Sequence, residues 1–344
     1  MSHLLVFRFS AMGDVALTVP VLKSVLEQYP ELQITLITRK TFVPLFSGIQ
    51  RLEVIPADFS GKHRGLTGLF TFFRENRQGR TFTAVIDLHD VLRTKVLDFL
   101  FRMKGLKVYR IDKGRKEKRD LIHGKNVIPL VKTVDRYFSV FEKAGFAAKL
   151  GSASFFHFPA EQKREEGKPD KIIRIGIAPC AKHPLKEWPV DKIIALMYLL
   201  RKNLRVRFYL FGGKDEAERL TKIAEAVPET SHEVPDLSLS AQLMMMGKMK
   251  LMISMDSANM HLAALAGIPL VVIWGATHPY AGFVPVGNHE KGFVQISREK
   301  LDCRPCTVYG KGTCRRGDHA CMARITPEMV YAKILALKIP EISA

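Results

Sequence analysis

The sequence has no apolar run long enough to cross a bilayer. Its longest, Leu262 to Trp274, is interrupted by Gly267 and Pro269, whereas a spanning helix needs about 20 apolar residues. The opening segment, His3 to Phe9, reads as a strand. It lacks the basic flank, apolar region and small-residue cleavage site of a secretory signal, so a soluble, intracellular chain is expected. No Gly-x-Gly-x-x-Gly follows a strand, which disfavours a dinucleotide oxidoreductase. There is no P-loop, and no Asp-x-Asp pair to hold a divalent metal against a diphosphate. A nucleotide-linked substrate would need its charge neutralised by lysines and a helix terminus instead. No short-period repeat is present, which argues against a solenoid.

Acidic residues are also scarce. The 344 residues carry 34 Asp and Glu against 53 Lys and Arg, a net charge of +19. The excess is concentrated between Lys62 and Arg119, which hold sixteen Lys and Arg against six Asp and Glu. Nucleic acid, anionic lipid or a phosphorylated sugar would suit such a field, and so would a solvated face with no partner. Cysteine is sparse but clustered. Cys180 stands alone, while Cys303-x2-Cys306-x7-Cys314-x6-Cys321 crowd the C-terminal end. In an intracellular chain such spacing points to a structural zinc site or to free or oxidised thiols, with no catalytic role.

Apolar content of 47% supports substantial cores, and the length favours two domains. Short apolar strands alternate with amphipathic helices in two arrays. The first has strands at 3–9, 33–38, 52–56, 84–88 and 107–111, and helices at 15–29, 68–76 and 134–144. The second has strands at 172–177, 207–211, 251–254 and 270–274, and helices at 190–201, 216–226, 240–246, 258–266 and 327–337. Phe158 to Lys171, polar with two prolines and a glycine, reads as the linker. The domains expected are 1–160, 161–325 and a C-terminal helix at 326–344 that packs back on the first domain. Alternation of this kind implies two α/β domains with doubly wound parallel sheets, and ligands in such folds sit outside the carboxyl ends of the strands.

Four motifs stand at those ends. In Arg8-Phe-Ser-Ala-Met-Gly-Asp14, Gly13 permits a tight turn, and Asp14 is either a helix N-cap or a general base. The loop after the strand ending at Ile177 carries Lys182, His183 and Lys186 before Trp188-Pro189; its cations suit a diphosphate, or are simply exposed lysines. Phe211-Gly-Gly-Lys-Asp-Glu216 places Glu216 in the first turn of a helix, favoured there by the dipole or held ready for ribose hydroxyls. At Asp256-Ser-Ala-Asn-Met-His261 a strand runs straight into a helix. The N–H groups of Ser257, Ala258 and Asn259 would face an anion, and Asp256 is either a cap or a ligand residue. His261, one turn on, is a satisfied structural histidine or a donor contact.

In this order the motifs resemble glycosyltransferase family 9, the ADP-heptose:lipopolysaccharide heptosyltransferases. The resemblance rests on Arg8-x-Ser10-x-Met12-Gly13-Asp14, Lys186-x-Trp188-Pro189, Asp256-Ser257-x-x-x-His261-Leu-Ala-Ala and Trp274-Gly275-x-Thr277-x-Pro279. It implies the GT-B architecture, two Rossmann-like domains facing a cleft, with acceptor bound by the first and donor by the second. It also implies inverting transfer of a heptose from ADP-heptose to a lipopolysaccharide core acceptor, with no cofactor required for catalysis. On the matching positions, Asp14 is the base and Lys186 the contact to the donor phosphates. Glu216 holds the ribose, and Asp256 with the following N–H groups holds the donor sugar and diphosphate. Gly13, Lys182 and His261 fall beside the donor. Ser10, Met12 and Arg93 are the acceptor candidates, followed by Arg115 to Arg119, which also read as a solvated loop. The partners implied are a nucleotide-sugar donor and an anionic lipopolysaccharide precursor, at the cytoplasmic face of the inner membrane. Ala181 and Lys182 stand where relatives often carry hydroxyl residues, and Ser257-Ala258-Asn259 where Thr-Gly is common; both departures bear on the donor.

Three other readings remain: a related GT-B transferase with another donor or acceptor, a catalytically dead scaffold, and a basic nucleic-acid-binding protein. The last would use Phe70, Phe72 and Phe73 with Arg74 and Arg77 as an aromatic and cationic surface. At that spacing they read more simply as an amphipathic helix.

Overall fold

The computed structural model describes residues 2–151, 155, 172–228, 237–287 and 289–343. The expected linker at 158–171 lies outside them. The chain divides into two compact units, Met1–Lys113 with Val131–Phe155, and Gly114–Leu130 with Phe156–Ala344.

The first unit runs β1 (Ser2–Phe7), α1 (Met12–Ala16), α2 (Thr18–Gln28), β2 (Leu32–Arg39), β3 (Leu52–Ala57), α3 (Gly65–Arg77), β4 (Ala84–Asp87), α4 (Leu92–Arg102) and β5 (Lys107–Arg110). After α5 (Arg115–Ile122), which is grouped with the second unit, α6 (Thr133–Lys143) completes it. The five strands form one sheet in the order β3-β2-β1-β4-β5 with every pairing parallel. Leu4, Leu5, Val6 and Phe7 are all fully buried. This is why β1 is a continuous apolar run: a parallel strand covered on both faces has no solvent side to alternate with. Phe7 pairs with Ile37 on one side and Asp87 on the other, so the direction of winding reverses between β1 and β4. That reversal places the ends of these two strands at the switch point.

Local boundaries differ from expectation here. The strand ends at Phe7 rather than Phe9, and the helix expected over 15–29 begins at Met12 and breaks at Leu17. Asp14 is thus the third residue of α1. Its Oδ2 lies 3.4 Å from the Ala11 N–H, and the Thr18 hydroxyl turns back onto the Val15 carbonyl at 2.6 Å. Arg115 to Arg119 form the start of α5, not a loop. The segment belongs with the second unit, where Leu130 donates its N–H to the Tyr280 carbonyl at 2.9 Å and Lys118 Nζ lies 4.3 Å from the Phe283 ring centre.

The second unit repeats the plan with β6 (Ile173–Ala178), α7 (Val190–Asn203), β7 (Val206–Leu210), α8 (Ala217–Ala226), α9 (Leu239–Gly247), β8 (Leu251–Met255), α10 (Ala258–Leu265), β9 (Leu270–Ile273) and β10 (Phe293–Val294). Its sheet order is β10-β9-β8-β6-β7, again parallel throughout. The switch here falls between β6 and β8. Helices α11 (Ala320–Ala323), α12 (Pro327–Ala336) and α13 (Pro340–Ser343) close the chain. The terminal helix α12 packs along α7 and is grouped with the second unit. Its Val330 and Ile334 enter the same core as Trp188, Ile273 and Met322. Apolar surface on this helix is therefore removed from water by the sheet it follows. Among the described residues no helix is long and apolar enough to cross a membrane.

Candidate active site

At the end of β1 the chain delivers a buried arginine. Arg8 donates through Nη1 to the Leu88 carbonyl at 2.6 Å, and through Nη2 it pairs with Asp14 Oδ2 at 2.7 Å. Its guanidinium lies 5.7 Å from the ring centre of the buried Tyr137, whose hydroxyl donates to the Asp14 main-chain carbonyl at 3.2 Å. Both polar partners of the Asp14 carboxylate, Arg8 and the Ala11 N–H, engage Oδ2. The side chain is still 28% exposed. The structure thus holds one carboxylate oxygen and leaves the other to solvent, a geometry in which a base can accept a proton. Gly13 sits inside α1, its carbonyl accepting the Leu17 N–H at 3.0 Å, so it does not form the tight turn expected of it. Ser10 and Met12, which precede it, are half-buried.

Cations gather at the end of β4. Asp87 is fully buried and accepts the N–H groups of His89 (2.8 Å) and Asp90 (2.9 Å), which fixes the turn out of the strand. Lys113 donates to the Asp90 carbonyl at 3.0 Å. Burial pushes His89 down to about 3, with Arg8, Lys113, Arg39 and Arg93 adding to the effect. That histidine is neutral in a field made by four cations. Arg93, the acceptor candidate, is exposed on α4 with its guanidinium 5.4 Å from the Phe59 ring centre. Arg39, His89 and Lys113 stand in none of the sequence motifs, whereas Arg8 opens the first of them. Only the arginine at the end of an apolar strand gave a signal, since a charged group in a buried position needs a partner.

In the second unit the loop after β6 and the ends of β8 and β9 converge. Lys186 Nζ meets Asp256 Oδ2 at 2.8 Å, and the Thr277 hydroxyl donates to the same oxygen at 2.7 Å. All three groups are largely removed from solvent. Gly310, at φ +80°, passes so close that a Cβ there would lie 2.6 Å from Lys186 Cγ. Asp256 is not the helix cap; Ser257 is, and no side chain caps the N–H groups that open α10. Those groups, at and after Ala258 and Asn259, retain their anion-binding capacity beside Lys186. His261 is buried on α10. Lys182 is exposed.

Glu216 lies in the short turn before α8 and accepts the Gly213 N–H at 2.7 Å. A Cβ on Gly212 would lie 2.7 Å from Glu216 Oε2 and 2.8 Å from Leu220 Cδ1, so a larger residue there would displace the Glu216 carboxylate. Burial raises Glu216, and nearby Glu187 adds to the rise. Glu187 in turn accepts the Ala181 N–H at 3.1 Å and pairs with Arg219 at 2.5 Å, tying the lysine loop to α8.

Of the two readings that the C-terminal cysteines left open, the structure gives structural zinc no support and shows free thiols. All four are free thiols lining one small cavity, yet among the described residues no three His, Cys, Asp or Glu are placed to hold a metal ion. A thiolate site needs sulfurs converging at about 2.3 Å on one centre. The cavity wall instead includes Arg304, Arg315 and Arg316. Arg304 is the fulcrum of this region. Fully buried, it donates to the carbonyls of Gly275, Trp274, Thr277 and Ile296 and to Gln295 Oε1. It therefore sets the loop that presents Thr277 to Asp256.

Two parallel-sheet units wound in this order are the GT-B architecture, shared with solved heptosyltransferases. Residues 73–311 match the model of glycosyltransferase family 9 (heptosyltransferase), and the chain belongs to that family. It is similar to the lipopolysaccharide core heptosyltransferase OpsX of Haemophilus influenzae, 25% identical with 80% of each chain covered. Among solved structures, a family 9 glycosyl transferase from Veillonella parvula superposes with a TM-score of 0.75, at 22% identity over 98% of each chain. The E. coli heptosyltransferase WaaC, solved with ADP, gives 0.66, at 18% identity over 99% of each.

Proposed function

We propose that this enzyme transfers a heptose from ADP-heptose to a lipid-borne lipopolysaccharide core acceptor at the cytoplasmic face of the inner membrane, with inversion and without a metal. The supporting observation is the presentation of Asp14, whose carboxylate is anchored at Oδ2 and open at Oδ1. The acceptor hydroxyl gives its proton to Asp14 as its oxygen attacks the anomeric carbon from the face opposite the diphosphate. The bond from that carbon to the phosphate oxygen breaks, and ADP leaves with the electron pair. Lys186 and the N–H groups opening α10 take up the charge that develops on the diphosphate. In the resting enzyme Asp256 neutralises Lys186, and the donor phosphates replace it. Glu216 accepts hydrogen bonds from ribose hydroxyls. Arg93 with Arg39 and Lys113 receives the acidic acceptor.

The test is Asp14→Asn, a near-isosteric change that removes the base. Loss of a general base typically costs about 10²–10⁴-fold in rate. The expected result is such a fall in kcat, with stabilisation by ADP retained. A folded Asp14→Asn enzyme turning over at the parent rate would refute the assignment. A screen in which another nucleotide sugar, and not ADP-heptose, supports turnover would correct the donor.

A further inference from the structure

The outer surface of the α3–α4 layer is unlike that of a water-facing pair of helices. The two helices pack on each other, and their inner sides supply Phe72, Phe73, Leu97 and Phe101 to the core. Their outer sides are apolar as well. Leu66 and Phe70 on α3 are 72% and 50% exposed; Leu92 and Phe99 on α4, with Met103 just past its end, are 79%, 62% and 69% exposed. Single exposed apolar side chains are ordinary, but a contiguous group on neighbouring helices marks an interaction surface.

Their spacing adds to this. Leu66, Phe70, Arg74 and Arg77 follow one side of α3, and Leu92, Lys95, Phe99, Arg102 and Met103 one side of α4. Each stripe mixes apolar and basic groups, all of them exposed. The acidic residues of these helices do not offset the charge. Glu75 pairs with Lys62 and His63, and Asp98 is buried against Arg110. Lys95 Nζ lies 3.6 Å from Asp90 Oδ1, while Arg74, Arg77 and Arg102 stay exposed among the apolar groups. Large apolar side chains set among an excess of cations complement an anionic lipid bilayer, where the chains enter the acyl boundary and the cations meet the headgroups.

We propose that the outer face of α3 and α4 is the surface by which the enzyme docks on an anionic membrane. The proposal rests on the lipid-borne acceptor proposed above for its purpose, and is tested without that acceptor. The full chain is mixed with vesicles of phosphatidylethanolamine and phosphatidylglycerol, or of phosphatidylcholine alone, and the bound fraction is read by flotation. Two double variants, Phe70→Ser with Phe99→Ser and Arg74→Gln with Arg102→Gln, are compared with the parent. Transfer to a detergent-dispersed acceptor is measured in parallel. The parent is expected to float with the anionic vesicles only and to be released by salt. Each double variant is expected to lose at least about tenfold in partitioning, with transfer to the dispersed acceptor unchanged. Absence of binding to anionic vesicles, or double variants that bind like the parent, would overturn the docking surface. So would a parent dimer that either double variant dissociates, since the face would then belong to a second copy. An enzyme that binds vesicles but transfers no heptose would sink the reaction proposed above and leave the docking surface standing.

Discussion

Arg8 has two jobs that a sequence motif does not separate. It closes the end of β1 on the Leu88 carbonyl, and it holds Asp14 Oδ2 at 2.7 Å. Replacing it by methionine keeps most of the buried volume but frees the carboxylate to rotate. Misplacement of a reacting group by about 1 Å can cost roughly 10²-fold in rate. Arg8→Met is therefore expected to lower kcat by about that factor with the donor KM unchanged, and Arg8→Lys to recover part of the loss; steady-state kinetics decide it. His89 makes a second prediction, for pH. Its folded value of about 3 lies below the ordinary 6.5 because of burial and the surrounding cations. As pH falls below 6.5 the unfolded chain takes up a proton that the native chain refuses until about 3. The stability this histidine contributes is thus present above pH 6.5 and is lost progressively as the solution is acidified towards 3. His89 Nδ1 is buried without a partner, and the ring meets Phe9 edge-on. His89→Phe is expected to leave Tm near neutrality little changed and to flatten its decline on acidification, read by thermal denaturation across pH.

Among the elements, the loops after β6, β8 and β9 matter most, and they show what a sequence can and cannot disclose. The strands and helices were legible because their apolar residues repeat with the period of each element: β1 and β8 are unbroken runs, and α7 and α8 bury one side. The ends were less so. Asp14 read as a residue before the helix, since nothing local says that its own carboxylate will cap the Ala11 N–H and start α1 at Met12, three residues earlier than expected. The partner of Lys186 was not legible either, because Asp256 and Thr277 lie 70 and 91 residues away along the chain. The cysteines left two readings open for a related reason: spacing reports proximity, and only geometry reports convergence on one centre. Arg304 stands in no sequence motif, yet it satisfies three carbonyls of the loop that carries Thr277 and a fourth, that of Ile296, just after β10. Removing one partner of a buried hydrogen bond costs about 1–3 kcal/mol. Arg304→Met is expected to destabilise the second unit by several such increments and to weaken ADP binding, measured by denaturant titration and calorimetry. Unchanged ADP affinity would show that the loop keeps its place without the guanidinium.

At the scale of the molecule, two units with separate sheets imply separate responses to ligand. The first unit's core is built on Phe7, Phe9, Phe72 and Phe101, the second's on Trp188, Ile253, Ile273 and Met322. Both tryptophans of the chain, Trp188 and Trp274, are buried in the second unit. Trp188 also donates its indole N–H to the Ile325 carbonyl at 3.1 Å, two residues from the lysine of the proposed phosphate site. Tryptophan fluorescence therefore follows the unfolding of that unit, while far-ultraviolet circular dichroism follows both. A ligand that binds only the native form raises apparent stability by about 2.7 kcal/mol at a hundredfold excess over its Kd. If the donor belongs to the second unit, ADP moves the fluorescence transition upward by several degrees, and the dichroism trace separates into a shifted and an unshifted component. Lys186→Ala removes the shift, because the phosphates lose the cation that Asp256 holds in their absence. Equal shifts by both probes would mean that the units unfold as one. A shift confined to the dichroism trace would place the nucleotide in the first unit, against the proposed division of labour.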